Sequence, residues 1–255
     1  MRMKTVLTEK KDGVLTIRIN RPEKKNALTP EIYAEMAAAI TDADQDKNLH
    51  AVVLTGTADT FTAGNDLQNF LDAPPDVENS PVRDFLNALS EAKLPVIAAV
   101  EGHAVGVGAT LLLHCDFVYA AEDAVFQMPF INLGLVPEAG SSLLLPRVAG
   151  HQRASEILLL GEAFSAQDAK EAGIINGICT PGKALDTALA TAQKLAQKPR
   201  KALVESKALL RREFEPLAKR ITREGHVFRE CLASDESQKA IHTFFDRKKS
   251  GGARP

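Results

Sequence analysis

Residues 96–110, VIAAVEGHAVGVGAT, join an apolar run rich in β-branched residues to a series of small residues. Val96 to Val100 predicts a buried strand, and Gly106 to His114 fits a buried helix. Glycines at this point let the helix begin close against the sheet and leave free backbone amides at its amino end. The spacing is not GxGxxG and no acidic partner for a ribose is evident, so a dinucleotide site fits poorly. Close helix packing alone is the alternative interpretation.

Outward from this stretch, predicted strands and helices alternate as far as about residue 180. The predicted strands are Val6 to Lys10, Val14 to Ile19, Ala51 to Thr55 and Phe117 to Ala120. Thr29 as N-cap and Pro30 at the first helical position predict a helix to about Asp44. A second helix is predicted over Pro81 to Ala92, after a mobile loop over Asp72 to Ser80.

The strand pattern stops after Pro181. The remaining segments predict amphipathic helices over residues 184–197, 199–212, 216–232 and 234–249. Alternation followed by helices favours an α/β fold, with a core over residues 1–180 and a helical carboxy-terminal region over residues 181–255.

Composition limits the classes of function. The chain has 255 residues, 45% of them apolar, with 31 basic and 33 acidic side chains. This balance gives no electrostatic reason to expect nucleic acid or a membrane as partner. The three cysteines form no CxxC pair, which favours reduced thiols over disulfides or a metal site. Neither a signal peptide nor a membrane span is evident, so a cytoplasmic location is expected.

Residues 61–67, FTAGNDL, come shortly after a buried strand and are expected to lead into a helix. Gly64 lets the backbone approach a ligand closely, and Asn65 or Asp66 can cap the helix. Backbone amides here could stabilise a developing oxyanion, as such donors do in acyl chemistry. The alternative is a strand-to-helix turn with ordinary capping.

Residues 126–142, FQMPFINLGLVPEAGSS, contain one carboxylate, Glu138, among apolar and small side chains. A buried Glu138 would have a raised pKa and could accept and donate a proton near neutral pH. The alternative is a solvated glutamate in the first turn of a helix, where the helix dipole favours a negative charge.

The segments together resemble the crotonase (enoyl-CoA hydratase/isomerase) family. FTAGNDL resembles the motif that supplies one oxyanion-hole amide and surrounds coenzyme A, and GHAVGVGAT (102–110) resembles the segment that supplies the second amide. NRPEKKNAL (20–28) resembles the family's characteristic start. The resemblance covers nearly the whole chain and implies the crotonase spiral of ββα units, with carboxy-terminal helices that assemble a homotrimer or hexamer.

The resemblance also implies roles for individual residues. The amides of Ala63 and Val107 would form the oxyanion hole for a thioester oxygen. The coenzyme A site would be lined by Ala63, Gly64, Asn65, Asp66 and Leu67, and the acyl tail would contact Phe130 and Leu133. No metal or separate cofactor is implied, because coenzyme A enters as the thioester part of the substrate.

Two positions depart from the hydratases of the family, which use a pair of glutamates. The corresponding residues are Thr110 and Phe130, and neither can act as a general base at neutral pH. The segment from Pro129 to Ala139 instead resembles the peroxisomal-type Δ3,Δ2-enoyl-CoA isomerases, whose pattern P-F-x-x-L-G-x-x-x-E-G carries a single catalytic glutamate. Glu138 is therefore predicted to be the base, and Ala139 departs from the pattern.

The predicted activity is migration of a double bond from the 3- to the 2-position of an enoyl-CoA. Another crotonase reaction, including hydration, and a non-catalytic acyl-CoA-binding role remain as alternatives.

Overall fold

The computed structural model describes residues 4–57, 59–72, 80–211, 217–237 and 239. Its larger sheet has six strands in the order β1-β2-β3-β4-β6-β9. They are β1 (Val6–Lys11), β2 (Val14–Ile19), β3 (Ala51–Gly56), β4 (Val96–Val100), β6 (Phe117–Ala121) and β9 (Gly177–Cys179). β1 and β2 form the predicted antiparallel hairpin, and the later neighbouring pairs are parallel. Parallel pairs need crossover connections, and the α/β prediction is confirmed.

Alternate residues of the central strands pack on opposite faces of this sheet. Val52 and Leu54 belong to the main core, together with α1 (Pro30–Gln45) and α3 (Pro81–Glu91). Ala51 and Val53 face the other side, where they pack with three alanines of α8 (Ala184–Ala196). The period of two in the strands therefore sorts the buried side chains into two layers.

Helix α1 begins as its sequence predicts. The Thr29 side chain accepts a hydrogen bond from the backbone N–H of Ile32, and Pro30 occupies the first helical position. This N-cap satisfies one of the amides that a helix leaves unpaired at its amino end.

A second sheet has three short strands in the order β5-β7-β8. They are β5 (His103–Val105), β7 (Val125–Gln127) and β8 (Ala163–Ser165). The single helix predicted over 106–114 is wrong in detail, because α4 (Val107–Thr110) gives way to a 3₁₀ helix, Leu111–His114. The tighter 3₁₀ turns end the helix early and bring His114 to the wall of the cavity described below.

The remaining helices connect these sheets or follow them. They are α2 (Leu67–Asp72), α5 (Ser141–Ala149), α6 (His151–Ser155), α7 (Ala166–Glu171), α9 (Arg200–Leu210) and α10 (Leu217–Leu232). Most of the loop predicted over 72–80 and of the helix predicted over 234–249 lies outside the described residues. None of the helices within the described ranges has the length and apolar content needed to cross a membrane.

Helix α9 is fastened to the core by a buried cation. The Lys207 ammonium lies 2.7 Å from the Asp116 carboxylate and donates to the Leu94 carbonyl at 2.5 Å. Burial lowers the pKa of Lys207, whereas the Asp116 charge opposes that effect. These contacts tie helix α9 to the segments that precede β4 and β6.

Candidate active site

A cavity of about 890 Å³ is lined by α3, by residues 129–140 and by the two glycine-containing segments, residues 61–67 and 102–110. Its apolar walls include Leu67, Val82, Leu86, Phe130, Leu133, Leu135 and Val136. Glu138 is the only carboxylate among the described residues of the lining. A largely apolar cavity with a few polar groups is the usual form of a small-molecule site.

The two glycine-containing segments lie side by side at this cavity. Thr62 pairs with Ala104 in an isolated parallel bridge, and the Val105 amide donates to the Thr62 carbonyl at 3.1 Å. Gly64 has φ +86°, and a Cβ added there would lie 2.5 Å from the Val105 carbonyl oxygen. Only glycine satisfies both the left-handed backbone and the close approach.

The structure contradicts the oxyanion role predicted for the Ala63 amide. That N–H donates to the Lys25 carbonyl at 2.9 Å and is therefore occupied. The neighbouring amides of Gly64 and Asp66 are also paired, with the Thr62 hydroxyl and the Leu28 carbonyl. The Asn65 amide has no hydrogen-bond partner within the described part of the chain, and Asn65 lines the cavity. The free amide of this segment is thus two residues further along.

Val107 supplies the matching amide on the second segment. Gly106, with φ +57°, is the N-cap of α4, and Val107 is its first residue. The Val107 side chain is fully buried, and the Val107 N–H finds no acceptor among the described residues. An unpaired buried amide is costly, so this group suits a ligand oxygen. The alternative interpretation of this segment, close helix packing, also applies, because a Cβ added to Gly108 would lie 2.5 Å from the Thr62 side chain.

Glu138 lies in a turn that precedes helix α5. Ala139 and Gly140 have φ +53° and +67°, and the helix begins only at Ser141. The Ser141 hydroxyl donates to the Glu138 carbonyl at 2.7 Å. The alternative of a solvated glutamate within the first helical turn is therefore wrong, because two left-handed residues separate Glu138 from the helix.

The Glu138 carboxyl group is partly buried, and among the described residues it accepts a hydrogen bond from Thr110. The Thr110 hydroxyl donates to Glu138 Oε1 at 2.5 Å. Burial raises the pKa of Glu138 above its ordinary value, and the Thr110 hydrogen bond partly offsets the rise. A carboxyl group with a raised pKa that faces a cavity holds a proton more readily than an exposed one and can act as an acid–base group.

The other predicted site residues divide into two groups. Leu67, Phe130 and Leu133 line the cavity as predicted. Asp66 does not, because its carboxylate pairs with Arg21 at 2.8 Å, and this hydrogen bond lowers the pKa of Asp66. Asp66 therefore stabilises the turn and does not line the cavity.

Two polar residues at the site were not identified from the sequence. The Tyr33 hydroxyl donates to Asn65 Oδ1 at 2.5 Å, and burial followed by the charge of Glu138 raises the pKa of Tyr33. His114 lines the cavity, and its Nε2 lies 2.7 Å from the Ala139 carbonyl oxygen. Both residues fall within predicted helices, where the apolar pattern does not distinguish a site residue from a core residue.

Comparisons with known proteins show which proteins this chain resembles. Residues 9–251 match the family model described as enoyl-CoA hydratase/isomerase. Human enoyl-CoA delta isomerase 2 is 35% identical over 96% of this chain, which spans only 64% of that protein. The mitochondrial enoyl-CoA hydratase of Pongo abelii is 33% identical over 94% of this chain and 84% of its own length.

Among solved structures, a Magnetospirillum magneticum AMB-1 protein is similar throughout. It was assigned provisionally as an enoyl-CoA hydratase/carnithine racemase and shares 44% sequence identity and a TM-score of 0.93. The match covers 99% of this chain and 98% of that protein. Relatives named as isomerases and as hydratases therefore both resemble the chain.

Proposed function

The chain belongs to the crotonase (enoyl-CoA hydratase/isomerase) family, and from this premise we propose that it moves a double bond of an enoyl-CoA from the 3- to the 2-position. The family acts on acyl-CoA substrates. The choice of isomerisation rests on one observation, a single partly desolvated carboxylate among the described residues of a largely apolar cavity.

The reaction needs one group that both removes and returns a proton. Glu138 takes a proton from the carbon between the thioester carbonyl and the double bond. The C–H electron pair forms a new double bond to the carbonyl carbon, and the carbonyl π electrons move to the thioester oxygen, which gives a dienolate. The amides of Asn65 and Val107 stabilise this dienolate oxygen, and each such donor contributes roughly 3 kcal/mol by analogy with acyl transfer. Glu138 then delivers its proton two carbons further along, and the double bond becomes conjugated with the thioester.

Hydration is disfavoured because the second acid–base group is missing. The two positions that correspond to the hydratase glutamates hold Thr110 and Phe130, both buried. The Thr110 hydroxyl is already engaged with Glu138, and the Phe130 ring cannot activate water. In this proposal Thr110 lowers the pKa of Glu138, and the Phe130 ring encloses its side chain. One carboxylate then carries out the proton transfer.

The proposal extends to the rest of the chain. Residues 1–180 form the acyl-CoA-binding core, and residues 181–255 form the helical region through which copies assemble. The apolar side chains of Leu133, Leu135 and Val136, which line the cavity, hold the acyl tail.

A direct comparison of two reactions tests the proposal. Purified protein is supplied with a 3-enoyl-CoA and with the corresponding 2-enoyl-CoA, and double-bond migration and water addition are measured separately. Migration that is faster than hydration supports the isomerase. Faster hydration would favour the hydratase alternative, and tight binding without turnover would favour a non-catalytic acyl-CoA-binding protein.

A further inference from the structure

Ala139, the residue after Glu138, adopts a backbone conformation that is energetically unfavourable for alanine. Its φ of +53° lies in the left-handed region that residues other than glycine rarely adopt. For such a residue this conformation costs roughly five- to thirtyfold in population, which corresponds to about 1–2 kcal/mol. Some contact must therefore keep residue 139 in place.

The His114 ring makes such a contact. His114 Nε2 lies 2.7 Å from the Ala139 carbonyl oxygen. Because a carbonyl oxygen only accepts hydrogen bonds, Nε2 must carry the proton and donate it. Burial lowers the pKa of His114, which favours the neutral ring, and the neutral ring with its proton on Nε2 still makes this bond.

The backbone of His114 is fixed in turn by the end of helix α9. The Arg211 guanidinium donates to the His114 carbonyl oxygen and, at 2.8 Å, to the Ser90 carbonyl oxygen. The same guanidinium also lies 3.5 Å from the Asp116 carboxylate, which pairs with Lys207 as well. His114 is thus anchored on one side and can restrain the turn at Ala139 on the other.

We propose that His114 is a positioning residue for Glu138, because its Nε2–H bond to the Ala139 carbonyl keeps residue 139 left-handed and the Glu138 carboxyl group against Thr110. This inference rests on the proposed proton transfer by Glu138 and adds to it a residue that acts through the turn at Ala139 rather than on the reacting atoms. Without the bond, residue 139 relaxes toward right-handed backbone and Glu138 leaves its position for much of the time.

The test combines changes at both ends of the bond. His114→Leu removes the donor, while His114→Gln places an amide N–H near the position of Nε2. His114→Leu should lower kcat for a 3-enoyl-CoA roughly five- to thirtyfold with little change in KM. His114→Gln should recover most of that loss. If His114→Leu folds poorly, His114→Asn is the substitute, since its shorter amide cannot reach the carbonyl.

The His114→Leu substitution is then repeated in a protein that also carries Ala139→Gly. Glycine adopts the left-handed conformation without the cost that alanine meets, so the effect of His114→Leu should largely disappear in the Ala139→Gly protein. An equal loss of kcat in both backgrounds would overturn the inference, as would a His114→Leu enzyme with the kcat of the original protein.

A structural measurement separates this inference from the proposed function. Crystal structures of the two His114 variants should show the Thr110–Glu138 hydrogen bond lost with leucine and kept with glutamine. That result would support the role of His114 even if the unaltered protein failed to isomerise any enoyl-CoA, a failure that would reject the isomerase proposal alone. Retention of the hydrogen bond in His114→Leu would reject the positioning role.

Discussion

At the scale of single residues, the Glu138 carboxyl group is subject to two opposing influences. Burial favours the protonated acid, and the Thr110 hydroxyl favours the carboxylate. Burial is the larger influence, so the pKa of Glu138 is raised, and a base that must accept and return the same proton works best when its pKa is close to the working pH. The sequence predicted Glu138 from its pattern, but the partner at Thr110 comes from a different segment and could not be inferred from spacing.

Thr110→Val should shift the pH dependence of the reaction. Loss of the hydroxyl removes the influence that lowers the pKa of Glu138, so that pKa rises further. Because the base acts as a carboxylate, the fall of kcat/KM at acidic pH should move to higher pH. Rate–pH profiles measure this shift, and Thr110→Ser, which keeps the hydroxyl, is the control. A profile for the valine variant that matches that of the original protein would show that Thr110 does not influence the pKa of Glu138.

The oxyanion amide of residues 61–67 was predicted at the wrong residue, Ala63. Sequence spacing identified the segment FTAGNDL, but the choice of its free N–H depends on which carbonyl groups lie nearby in space. The Lys25 carbonyl, 38 positions earlier in the chain, accepts from the Ala63 amide, whereas the Asn65 amide has no acceptor among the residues that the structure describes. Hydrogen-bond partners this distant cannot be deduced from local patterns.

At the scale of elements, long periodic segments were predictable and short ones were not. The hairpin of β1 and β2, strand β4 and helix α1 match the sequence patterns closely. Strands β5, β7 and β8 have three residues each, too few to show a period of two. The second sheet, which brings His103–Val105 beside the Thr62 segment, therefore depends on tertiary contacts rather than on local preference.

Gly64→Ala should disrupt the contact between the two amide-bearing segments. The substitution adds left-handed backbone strain of about 1–2 kcal/mol and a steric overlap with the Val105 carbonyl oxygen, which lies 2.5 Å from the new Cβ. Overpacking adds a further 1–3 kcal/mol or so. Urea unfolding should show the combined loss of stability, accompanied by loss of acyl-CoA turnover.

The matched control for this substitution is Gly182→Ala. Gly182 has φ +78° and no atom within 4 Å of an added Cβ, so it should show the backbone strain alone and retain turnover. Equal loss of stability at both positions would mean that the close approach of the two segments is unimportant.

At the scale of the whole molecule, the carboxy-terminal helices leave apolar side chains uncovered within one chain. Ile221, Phe228 and Leu232 of α10 are exposed, Phe228 to 69%. Their spacing of seven and four residues places them on one face of the helix. An exposed apolar stripe of this kind supports the proposal that copies of the chain assemble, as a homotrimer or hexamer.

Phe228→Glu should weaken that assembly. A charge within a buried apolar interface is costly when it has no partner, so light scattering should report a lower mass at the same protein concentration. Lys219→Glu, on the opposite side of α10 by helical periodicity, should leave the mass unchanged. A monomeric unaltered protein, or a Phe228→Glu variant with the original mass, would contradict assembly through this helix.

Proton transfer is proposed for one carboxyl group, Glu138, at a cavity beside two backbone amides that have no acceptor among the described residues. Glu138→Gln keeps the size of the side chain and removes the base, so turnover of a 3-enoyl-CoA by this variant should be measured together with its affinity for the same thioester. Isomerisation should be abolished while binding survives. Turnover near that of the original protein would rule out Glu138 as the base.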